Sequence, residues 1–67
     1  MNLEVVKKEV MQLMVLIAQN KKVEAKEVAG AVLEMINEGL DFAATDEDLV
    51  QWGKLEKIVN ELKAKVD

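Results

Sequence analysis

Along the chain, apolar positions recur at spacings of three and four over three stretches, the mark of helices that each bury one side. In the first, about residues 3–19, Leu3, Val6, Val10, Leu13 and Ile17 trace a coiled-coil-like seam. The second, about 22–38, gathers Ala25, Val28, Ala29, Val32, Leu33 and Ile36 on one side, and Gly39 stands where a helix commonly stops. In the third, about 46–66, Trp52, Leu55, Ile58, Val59, Leu62 and Val66 share a stripe about 120° wide at the helical turn of about 100° per residue, with Leu49 at its margin. The fold class that follows is all-α, with three helices in a single domain spanning 1–67.

End signals support this division. Thr45 with Asp48 three residues on resembles a capping box. Asp46, Glu47 and Asp48 put negative charge at the positive end of the third helix dipole, and Lys63 and Lys65 put positive charge at the other end. Gly53 falls on the side away from the stripe at a cost of about 1 kcal/mol relative to alanine; it reads as a tolerated surface glycine, the alternative being a functional glycine that lets another backbone approach closely. From Gly39 to Ala44 the pattern predicts a loop, anchored onto the core by Leu40 and Phe42.

The first junction is less sharply marked, because Asn20-Lys21-Lys22 holds neither glycine nor proline and one long rod is an alternative. Extending the first seam predicts apolar residues at 24, 27, 31 and 34, where the chain has Glu24, Glu27, Ala31 and Glu34. The pattern slips there. Asn20 tolerates the left-handed conformation or caps a following helix, so a turn is predicted at 20–22.

One segment has more apolar surface than a seam needs. From Val10 to Ala18 the sole polar residue is Gln12, and Met11, Met14, Val15 and Leu16 carry apolar side chains around nearly the whole helix. A helix apolar all round is buried all round. Leu16 is read as lying opposite the seam, where a lone three-helix chain would leave it facing water. The segment therefore predicts a neighbour, most simply a second copy and otherwise another protein. Val10, Met11, Leu13, Met14, Val15, Leu16 and Ile17 form the candidate interface.

Size strengthens that expectation. A 67-residue core rarely supplies more than about 3–5 kcal/mol, and chains of this length commonly add disulfides, a metal or a second subunit. This chain has no Cys and no His, which removes disulfides and disfavours a structural metal. A helical bundle completed by self-association, as a homodimer or higher assembly, is the remaining route.

Composition narrows the chemistry further. Thr45 is the only side-chain hydroxyl, and its place before a helix marks it as a cap rather than a nucleophile. Glu34 and Glu38 share a helical face, but helical-bundle metal sites also use His. The run Asp46-Glu47-Asp48 lacks the spacing of a calcium loop. No enzyme activity, cofactor, metal or small-molecule substrate is expected.

The rival reading is a small helical dimer that binds nucleic acid through the lysine pairs Lys7-Lys8 and Lys21-Lys22. Against it stand a formal net charge of −4, no Arg for bidentate base contacts, and only Phe42 and Trp52 for stacking. Lys7-Lys8 followed by Val10 to Ala18 faintly resembles a signal peptide, but Glu4, Glu9 and Gln12 interrupt the pattern. As a helix, Val10 to Ala18 would span about 14 Å, too short to cross a hydrocarbon core of about 30 Å. The expectation is a cytoplasmic, non-enzymatic protein that acts through protein–protein interaction as a regulator, adaptor or assembly component.

Overall fold

A computed structural model of the protein describes residues 3–67, and the described residues form three helices and no strand. They are α1 (Leu3–Ala18), α2 (Lys22–Asp41) and α3 (Asp46–Ala64). Connections this short reverse the chain between neighbours. All three helices pack against one another. α2 packs extensively against both others, and α1 and α3 meet more sparingly. The Cα trace measures 37 × 18 × 14 Å, with the long dimension set by the helices.

The turn after α1 is built on Asn20, whose φ of 60° makes it the only described non-glycine residue with positive φ. Its N–H donates to the Ile17 carbonyl and the Lys21 N–H donates to the Leu16 carbonyl, both at 3.0 Å. That pair of bonds is a Schellman motif with asparagine in the left-handed position usually held by glycine. It satisfies the last carbonyls of α1 and separates α1 from α2, which rules out the continuous rod.

α2 runs three residues past the predicted stop. Gly39 lies inside the helix, is buried, and does not take positive φ. Its role is steric, because a Cβ built there would fall among the Cδ2, Cε2 and Cζ2 atoms of the Trp52 indole. Packing of the ring against the bare backbone overrides the weak helix propensity of glycine. The extension also corrects the anchors. Leu40 remains packed against the core, but as part of α2 rather than of a loop. Phe42, the C-cap of α2, is 83% exposed and anchors nothing. At about 100° per residue it lies well off the buried stripe centred on Ala25, Val32 and Ile36.

α3 starts as predicted. Thr45 has extended backbone, and its hydroxyl accepts a hydrogen bond from the Asp48 N–H at 3.1 Å. Thr45→Ala is expected to lower stability by about 1 kcal/mol, measured as a shift in the urea midpoint. An unchanged midpoint would show that the cap contributes nothing to holding α3. The helix ends at Ala64, two residues before the predicted boundary, and i→i+3 bonds from the Lys65 and Val66 N–H groups tighten the exit.

The core is assembled from Val6, Val10, Leu13 and Leu16 of α1, Ala25, Ala29, Val32 and Ile36 of α2, and Trp52, Leu55 and Val59 of α3, with Val66 beyond its end. Among the described residues no polar or charged residue is buried. Ile58, assigned to the α3 stripe from sequence, is exposed. It lies about 120° from Trp52 around the helix, at the edge of the packed side, and is 38% exposed.

Candidate interaction surface

The seven candidate interface residues of α1 divide into two sets. Val10, Leu13 and Leu16 are buried within the single chain and Ile17 is half-buried, whereas Met11, Met14 and Val15 are exposed. The expectation that Leu16 would face water in a lone chain is incorrect, since it is only 6% exposed. Helical geometry places it about 80° from Val6, on the flank of the seam rather than opposite. The Asn20 turn then folds the start of α2 back beside that flank, with the Lys21 N–H bonded to the Leu16 carbonyl.

What remains outside is a second stripe. Met11, Met14, Val15 and Ala18 are all exposed and stand at i, i+3, i+4 and i+7, so they form one continuous outward row. Met11, at 64% exposed, is more open than Met14 or Val15. Lys7 and Lys8 precede the row and Lys21 and Lys22 follow it, all exposed. The Lys7 ammonium approaches the Glu4 carboxylate at 3.7 Å, an exposed contact worth little in water. The two lysine pairs thus sit at opposite ends of α1, roughly 20 Å apart along its axis. They bracket the apolar row rather than converge on one site.

A second outward row escaped the sequence analysis. On α3, Leu49 and Val50 are exposed, Gly53 follows at the next turn, and Asp46 and Lys57 mark the ends. Their spacing of three and four is visible in the sequence, but there Leu49 reads as the margin of the core stripe and Gly53 as a tolerated surface glycine in preference to a point of close backbone approach. Asp46, Glu47 and Asp48 fill the first turn of α3, where the helix dipole favours them. Among the described residues, no three acidic groups are gathered closely enough to hold a metal ion, and no cavity is enclosed. No described helix is long and apolar enough to cross a membrane.

No family model, no curated protein and no solved structure matches this chain.

Proposed function

We propose that this protein is non-enzymatic and acts through protein–protein interaction, as a small regulator, adaptor or assembly component whose working form is a homodimer or higher assembly of its own copies. The observation that carries the reading is the outward row of α1. Met11, Met14 and Val15 stay exposed as one row while Val10, Leu13 and Leu16 of the same helix are buried in the core. Methionines on such a surface adapt their shape to a facing partner, and the absence of charge between Val10 and Ala18 removes the usual barrier to contact.

Sedimentation equilibrium across a dilution series tests the proposal. The wild-type chain is expected to show a mass that rises with concentration. Met11→Lys/Val15→Lys should lower that mass at every concentration and leave helical content unchanged, because each change replaces an apolar contact of about 1–2 kcal/mol by a charge. A wild-type chain that stays at monomer mass into the high micromolar range would overturn self-association. A variant with the mass profile of the wild type would overturn the α1 row as its site.

A further inference from the structure

We propose that the outward face of α3 is a second self-contact, in which α3 pairs antiparallel with α3 of another copy about a two-fold axis. Three observations on that face fit one another, and none depends on the α1 row.

The first is the glycine. Gly53 lies in the interior of α3, where glycine is less favourable than every residue but proline. A Cβ at this position would meet nothing within 4 Å, so no packing inside the chain calls for a glycine, in contrast to Gly39. The open backbone at Gly53 is a hollow. The second observation is a matching protrusion, because Val50, one turn earlier on the same face, is 54% exposed with Leu49 beside it at 43%. In an antiparallel pair registered so that Val50 meets Gly53 of the other copy, Gly53 also meets Val50. Each hollow receives one branched side chain. Contacts of this kind, in which one patch is complementary to itself, are what a two-fold axis requires.

The third observation is charge. The same register sets Asp46 against Lys57 at both ends of the contact. These two residues are eleven apart, three helical turns, so they lie on the same flank of α3 about 16 Å from each other. Neither takes part in an ion pair among the described residues. A parallel arrangement would set Asp46 against Asp46 and leave hollow facing hollow. The α1 row has no such complementarity, since it is bracketed by lysines and antiparallel pairing there would bring Lys7 and Lys8 toward Lys21 and Lys22. Electrostatic matching at the rim of a contact fixes register and partner choice more than affinity. With one contact on α1 and another on α3, copies would join beyond a pair.

The test is run in the full chain carrying Met11→Lys/Val15→Lys, which removes the α1 row, so that failure there and failure here are separate results. Sedimentation equilibrium at low salt is expected to show a residual dimer. Asp46→Lys and Lys57→Asp should each weaken that dimer about tenfold or more, and the double exchange Asp46→Lys/Lys57→Asp should restore it. Gly53→Leu should abolish the dimer and leave the melting temperature of the monomer equal or higher, because leucine improves the helix and its Cβ meets nothing within 4 Å. A folded parent variant that is monomeric into the high micromolar range overturns the proposal. So does a Gly53→Leu chain that associates as strongly as its parent, or a double exchange as weak as the single ones.

Discussion

Gly39→Ala should destabilise the fold by about 1 kcal/mol net, although alanine is the better helix former. The added Cβ would overlap three ring atoms of Trp52, and forcing extra volume into a packed core costs about 1–3 kcal/mol. The indole is rigid and only 4% exposed, so it has little room to retreat. Against this stands a gain of about 1 kcal/mol in helix propensity. Gly30 supplies the control, because it also lies within α2 and a Cβ there meets nothing within 4 Å. Gly30→Ala should raise the urea midpoint while Gly39→Ala lowers it. If both raise it, the indole does not rest on residue 39. In a chain that also carries Trp52→Leu, the penalty at 39 should shrink or vanish, since the rigid ring is gone.

Leu16→Lys is expected to cost about 3 kcal/mol or more, comparable to the whole stability of a core this size. It loses the burial of a leucine, about 2 kcal/mol, and brings an ammonium against an apolar core with no acidic side chain buried in it. Val15→Lys, one residue earlier, should leave the fold intact, because Val15 already faces solvent. Circular dichroism during urea titration separates the two outcomes. Equal loss of stability in both variants would mean that α1 is rotated from the placement described, and equal tolerance would mean that the end of α1 is not held against the core.

Much of this architecture was legible in the apolar spacing. Val6, Val10 and Leu13 on α1, Ala29, Val32 and Ile36 on α2, and Trp52, Leu55 and Val59 on α3 are buried as their spacing predicts, and Thr45 caps α3. Local signals sufficed there because the stripe of a helix is fixed by its own period. Gly39 was misread because a helix stop and a close approach both call for glycine, and only the position of Trp52 distinguishes them. Phe42 was misplaced for the same reason, since its direction depends on whether the helix continues through Asp41. At Leu16 the fault was angular. A flank position was treated as the far side, and the turn at Asn20 that covers it is a tertiary effect. On α3 the spacing puts Gly53 on the outer side and leaves a close approach by another backbone and a tolerated surface glycine both open, while the exposure of Leu49 and Val50 beside it depends on how α3 is rotated in the fold.

The wholly apolar interior shapes how this sequence is free to drift over generations. A core whose buried side chains make no hydrogen bonds places no demand for particular donors and acceptors on its descendants, and volume-conserving exchanges among aliphatic residues usually cost less than about 1.5 kcal/mol. Ile36 can therefore exchange with Leu while the three helices persist, whereas Val32 and Val59, fully enclosed, take an added methylene only at the cost of overpacking. Residues 39 and 52 are tied together, because a side chain gained at 39 is accommodated at lower cost with a smaller residue at 52. Ancestry in such a lineage would fade first from the aliphatic core and last from this one glycine and tryptophan.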